Sequence, residues 1–149
     1  MKNIKILLTK ADHLQNPHPM PFQSIALSLN CLEGFIEETS SQQKQPIIIF
    51  GANWCPDARL LEGVLQLSTV KKFLDKRCSI LKIDVGNYEI NTSLFKFFDP
   101  SIKNGIPRIF ILDLAGNTIN LGSNDEMRTA REKSPQEIFN YFQDFIDAN

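Results

Sequence analysis

A chain of 149 residues, 42% apolar and 22% charged, is long enough for one well-buried core and has the composition of an ordinary globular domain. Its formal net charge is −1, with acids and bases spread along the whole length, so nothing in it draws nucleic acid or an anionic membrane surface. No apolar run approaches the roughly 18–20 residues that span a bilayer. The run Ile4 to Leu8 is interrupted by Lys5 and followed by Lys10, Asp12 and His13, which is too short for a secretory leader. The chain therefore reads as cytoplasmic; a leader removed before this numbering began would make it periplasmic. Three cysteines, Cys31, Cys55 and Cys78, without regular spacing argue against a disulfide framework and fit one working thiol plus two core residues.

Residues 1–21 read as an N-terminal extension, partly extended, because the alternating prolines of Asn16-Pro17-His18-Pro19-Met20-Pro21 fix φ and remove donors. Residues 22–149 read as a single domain. Phe22, Ile25, Ala26, Leu29, Leu32, Phe35 and Ile36 recur at helical spacing and predict an amphipathic helix over 22–39, with Cys31 on or near its buried stripe. Ile47 to Phe50 predicts a strand buried on both faces. A helical pattern from Leu60 to Leu74 follows, bent or divided near Gly63 and Ser68-Thr69. Ile80 to Val85 predicts a second strand, and Leu94 to Phe98 a short helix ending before Asp99-Pro100. Ile106 to Leu112 predicts a third strand, with a turn at 113–117 into a fourth, Thr118 to Leu121. Ser134-Pro135-Gln136-Glu137 is the signature of a capped helix start. The order α-β-α-β-α-β-β-α predicts an α/β domain: a central mixed sheet of four to five strands, with helices on both faces.

Three features are carried on this frame. Trp54-Cys55-Pro56-Asp57 lies between a strand and a helix, Ile83-Asp84 closes the next strand, and Gly105-Ile106-Pro107 opens the third. In this order and spacing they resemble the thioredoxin superfamily over roughly residues 46–149. More narrowly, residues 51–57, Asp84-Val85-Gly86-Asn87 and Asn124 to Ser134 resemble a bacterial branch bearing Trp-Cys-Pro-Asp-Cys. The resemblance implies a thioredoxin fold, Cys55 as catalytic nucleophile and Trp54, Pro56, Asp57 and Ala58 as its active-site motif. It also implies a cis bond before Pro107 and substrate binding along Ile106 and Pro107. The chain departs from the pattern twice: Ala58 stands where the second cysteine belongs, and Ile49 stands where dithiol members often bury an acid.

At a helix N-terminus, open backbone N–H groups and the macrodipole favour a thiolate, the nucleophilic form. Asp57 and Arg59 flank Cys55 with opposite charges, which leaves the net effect open at this point. Cys78 begins the second strand, roughly 20 Å from the site along a six-residue strand, too far to be a disulfide partner. Resolution of a mixed disulfide then falls to an external thiol such as glutathione, a co-substrate; no resident cofactor is implied. His13 and His18 form no cluster of metal-binding spacing, so no metal site is expected. Phe95, Phe97 and Phe98 read as core. Asn124 to Lys133 reads equally as a solvated loop and as a rim of the site.

Three functional readings stay open on the residues alone. One is a monothiol thiol–disulfide oxidoreductase acting through Cys55 on protein or glutathione mixed disulfides. Another is a redox-inactive binding module on the same fold. The third is a dithiol oxidoreductase with an engineered Cys-to-Ala replacement at position 58. The expected partner is a disulfide-containing protein or small thiol, with no nucleic acid and no membrane, and the protein is expected to be a monomer.

Overall fold

The protein is described by a computed structural model covering residues 4–101 and 103–146; Met1 to Asn3 of the expected extension and residues 147–149 of the expected domain lie outside the described residues. The sheet is built on β1 (Gln45–Gly51), whose β-branched run is buried at every position, as a strand covered on both faces must be. It pairs in parallel with β2 (Cys78–Asp84), from Gln45 opposite Cys78 to Gly51 opposite Asp84. On its other side it pairs antiparallel with β3 (Arg108–Ile111), Ile47 opposite Ile111 and Phe50 opposite Arg108. The order is β2-β1-β3.

Among the described residues the sheet therefore has three strands, not the expected four to five. The turn at 113–117 does reverse the chain, and Leu112 bridges Thr118, but no ladder follows. Asn120 takes over the pairing with its side chain. Its Oδ1 accepts from the Ile111 N–H at 2.8 Å, and its Nδ2 donates to the Ile109 carbonyl at 2.8 Å and the Tyr141 hydroxyl at 2.7 Å. With the Ile119 N–H donating to the Ile111 carbonyl at 2.8 Å and the Ile109 N–H to the Asn124 carbonyl at 3.0 Å, the Asn120 amide completes the edge of β3 without a fourth strand.

The first helix also differs. Helix α1 runs Leu29–Ser41, and residues 22–28 are irregular, with a tight turn in which the Ile25 N–H donates to the Gln23 carbonyl at 2.6 Å. Two asparagines hold that segment. Asn53 exchanges both amide hydrogen bonds with the backbone of Phe22, at 3.0 and 2.8 Å, while Asn91 accepts from Leu27 N–H at 2.8 Å and donates to the Ile25 carbonyl at 2.9 Å. The Phe22 ring covers Gly51, where any Cβ would collide with it. The helix starts only after Ser28, whose Oγ accepts from the Cys31 N–H at 3.1 Å. In that phase Leu32 and Thr39 are buried and Cys31 is exposed, contrary to its expected core position.

The central helical pattern divides into α2 (Pro56–Leu65) and α3 (Ser68–Arg77). Gly63 causes no break; it lies inside α2, where a Cβ would stand 3.1 Å from His18 Nδ1. The N-terminal stretch packs there. Its Leu8 N–H donates to Gln136 at 2.7 Å, Asp12 accepts from the Thr69 N–H at 2.9 Å, and Arg59 donates to the His18 carbonyl at 2.7 Å.

Helix α4 spans Thr92–Phe98 and α5 spans Pro135–Phe145, the latter opened by a complete capping box between Ser134 and Glu137. Phe50 of β1 meets Phe95 of α4 edge-on at 5.2 Å, and Phe98 stacks on Phe110 of β3 at 4.5 Å. Phe97 of the same cluster is exposed, not core. Phe73 of α3 meets Phe139 of α5 at 5.5 Å. Among the described residues no helix is long and apolar enough to cross a membrane.

Candidate active site

The C-terminal ends of β1 and β2 lie side by side, and the loops leaving them build the site, as in open α/β sheets generally. Cys55 is the N-cap of α2, with extended backbone (φ −90°, ψ 114°), and Pro56 occupies the first turn, where a missing N–H costs nothing. The Cys55 Sγ–H points to the Ile106 carbonyl oxygen at 3.7 Å. The Ile106–Pro107 peptide bond is cis, and both residues are buried. Cys55 is only 5% exposed, yet it borders an open cavity of about 570 Å³ with Trp54, Tyr88, Ile106, Arg128 and Thr129. Its sulfur is therefore inside the surface but beside a void that a small molecule fits.

Trp54 is 53% exposed and is held as a wall. Its Nε1–H donates to the Gly86 carbonyl at 2.7 Å and its ring meets Tyr88 edge-on at 6.1 Å. Asp57 points away from the cavity: it is buried, and its Oδ1 accepts from the Arg131 N–H at 2.8 Å and from Arg131 Nε at 3.2 Å. Ala58, one turn along α2 from Cys55, is 1% exposed, so the place of a second sulfur is filled by packing. Asp84 caps the loop after β2 by accepting from the Gly86 N–H at 2.7 Å.

Tyr88, which lines the cavity, and Arg108, which bonds its Gly105 wall, carry no motif. Tyr88 sits at φ 66°, and the Gly105 backbone hydrogen-bonds its phenol. Burial, reinforced by the Cys55 sulfur, pushes that phenol above its ordinary value, which keeps it a proton-bearing hydroxyl. Arg108 is buried and fans out to three neutral acceptors, the Gly105 and Lys103 carbonyls and Asn124 Oδ1, at 2.9, 3.1 and 2.9 Å. Burial and the neighbouring Arg128 lower its affinity for its proton, although a guanidinium stays charged. It ties the loop before Ile106 to the segment after β3. A charged residue inside an apolar strand was the one sequence signal that could have pointed to it. The segment Asn124 to Lys133 is not simply a solvated loop: it carries the 3₁₀ turns Glu126–Glu132 with Met127 and Ala130 buried, while Asp125, Glu126, Arg128 and Thr129 line the cavity.

Cys78 lies at the opposite end of β2, paired with Gln45, and burial pushes its thiol up to about 12. Hydrogen bonds from the Ser28 side chain and backbone pull the exposed Cys31 thiol down. All three cysteines are free. Among the described residues no group of three metal-ligating side chains converges.

No protein-family model and no curated protein matches the chain. Among solved structures it is similar to a disulphide isomerase from Xylella fastidiosa Temecula1, with 27% identity and a TM-score of 0.75 over 85% of this chain and 96% of that one. It is more distantly similar to a redox protein from Chlamydomonas reinhardtii, with 15% identity and a TM-score of 0.48 over 62% of this chain and 27% of that one. A Pseudomonas aeruginosa protein of unknown function matches with 13% identity and a TM-score of 0.43 over 73% of this chain and 72% of that one. With a cysteine capping the helix after β1 and a proline opening the strand that faces it, the chain is thioredoxin-like in fold.

Proposed function

We propose that the protein is a monothiol thiol–disulfide oxidoreductase acting through Cys55. The observation that carries the reading is the Cys55 sulfur at the N-cap of α2, facing the Ile106 backbone across one wall of a cavity. The similarity to a disulphide isomerase supports it. Trp54 to Asp57 then form a Trp-Cys-Pro-Asp-Cys site of the bacterial type, with its last cysteine replaced by Ala58. Ile106 and Pro107 provide the backbone edge along which an extended substrate lies.

The Cys55 thiolate attacks one sulfur of a mixed disulfide; the Cys55–substrate S–S bond forms, the original S–S bond breaks, and the departing thiolate takes a proton. Ala58 cannot repeat the attack, so an external thiolate breaks the new bond. It is oxidised to a disulfide, and Cys55 is regenerated. Glutathione is the proposed co-substrate, and no cofactor is needed.

The test is site-resolved mass spectrometry in a Cys31→Ser background, because Cys31 is exposed. Glutathione disulfide should give one adduct, on Cys55, reversed by dithiothreitol and absent in Cys55→Ser. In Ala58→Cys an internal disulfide to position 55 should form, and the glutathione adduct should no longer accumulate. If Cys55 stays unmodified, the reading fails. The buried Cys55 and filled position 58 then favour a binding module, for which Cys55→Ala leaves partner affinity within about 1 kcal/mol.

A further inference from the structure

We propose that Arg128 is the carboxylate-recognising residue of the Cys55 cavity and that the cavity takes a small carboxylate-bearing thiol of the glutathione class. The inference rests on the monothiol reading of Cys55 and names what that site binds.

Three observations carry it. The cavity beside Cys55 holds about 570 Å³, the size of a small-molecule site. Arg128 is held against the wall that faces the sulfur. Its guanidinium lies over Gly105, where a Cβ would stand 2.5 Å from Nε, and Gly105, at φ 148°, has none. Its charge, lastly, is left unused. Among the described residues no carboxylate lies within ion-pair reach of Arg128, whereas the rim acid Glu126 faces Lys133 at 4.0 Å. Asp125, the other rim acid, acts on Arg108.

The rim thus presents one uncommitted guanidinium next to the Gly105–Ile106 backbone. A cysteine bound along Ile106 with its sulfur toward Cys55 would bring the carboxylate of an adjoining residue to Arg128. Guanidinium and carboxylate match as a planar two-bond pair. The chemistry needs such a ligand, because with Ala58 in place only an external thiol can free Cys55. In the cycle, Cys55 attacks the glutathione sulfur of a protein–glutathione disulfide and the protein thiolate leaves and is protonated. A second glutathione thiolate then attacks the Cys55-bound sulfur, giving glutathione disulfide and the free Cys55 thiolate. The protein thiol is reduced and one free glutathione is oxidised, joined in glutathione disulfide to the glutathione that left the protein.

The experiment measures the rate of Cys55 adduct formation in a Cys31→Ser background, with Arg128 intact, Arg128→Ala and Arg128→Lys. The probes are glutathione disulfide, uncharged hydroxyethyl disulfide, and a disulfide-linked peptide with an acidic residue beside its cysteine. Arg128→Ala should slow glutathione disulfide about tenfold and hydroxyethyl disulfide less than about twofold, with Arg128→Lys between them. Equal slowing of both, or of neither, overturns the assignment while the Cys55 chemistry stands. A larger Arg128 dependence for the acidic peptide assigns the carboxylate to a polypeptide and overturns the small-thiol assignment. Absence of any Cys55 adduct overturns the thiol-exchange reading and this one with it.

Discussion

Asp57, two residues after the candidate nucleophile, is joined to Arg131 by both the backbone N–H at 2.8 Å and the side-chain Nε at 3.2 Å. The bond crosses from the first turn of α2 to the 3₁₀ segment Glu126–Glu132, the same segment that carries Arg128 to the cavity. Its backbone half is well protected because Asp57 is buried, while the Arg131 side chain is 65% exposed and contributes little as an ion pair.

Asp57→Ala is therefore expected to loosen the segment, leaving the Arg131 N–H without its charged acceptor. Chemical denaturation should show a loss of about 1–3 kcal/mol, with Asp57→Asn retaining part of it because the amide oxygen still accepts. Hydrogen exchange at Arg131 should accelerate in the alanine variant. An unchanged exchange rate there would mean that packing of Met127 and Ala130 alone holds the segment.

Asn120 substitutes for a missing strand, so its removal should be costly. Asn120→Ala leaves the Ile111 N–H, the Ile109 carbonyl and one Tyr141 contact without their partner in a site 2% exposed. A loss of about 2–4 kcal/mol is expected, read as a lower urea midpoint at unchanged slope. A loss below about 1 kcal/mol would show that water or neighbouring backbone replaces the amide.

Asp12 anchors the N-terminal stretch to the start of α3 through the Thr69 N–H at 2.9 Å and hydroxyl at 2.7 Å. Partial burial raises its pKa, but hydrogen bonds from Thr69 and Thr9 together outweigh that and lower it from 3.8 to about 2. A carboxyl depressed in the folded state stabilises fully above its unfolded value. That contribution drains as the pH falls from about 4 through about 2. Amide exchange of Thr9 and Thr69 should therefore rise selectively in that window, and Asp12→Asn should show the fast exchange already at neutral pH. Equal acid sensitivity in Asp12→Asn would assign the transition to another carboxylate.

Much of the chemistry was legible along the chain. The β-branched run Ile47 to Phe50 could only be a covered strand, and Ser134-Pro135-Gln136-Glu137 could only start a helix, because both signals are local and complete within a few residues. The Cys55 segment was readable for the same reason: its strand, cap residue and helix are contiguous. The tertiary structure decided what distant partners control. Phe22 to Ser28 has helical periodicity but is not helical, because Asn53 and Asn91 reach it from other loops. That choice set the phase of α1 and turned Cys31 outward. The fourth strand yielded to an irregular segment in which the Asn120 amide and the Ile119 and Asn124 backbone share the β3 edge, an arrangement no pattern reveals. Tyr88 and Arg128 meet around Cys55, with Arg108 bonded to the Gly105 carbonyl beside them, only in the folded chain, and periodicity in a sequence carries no information about such meetings.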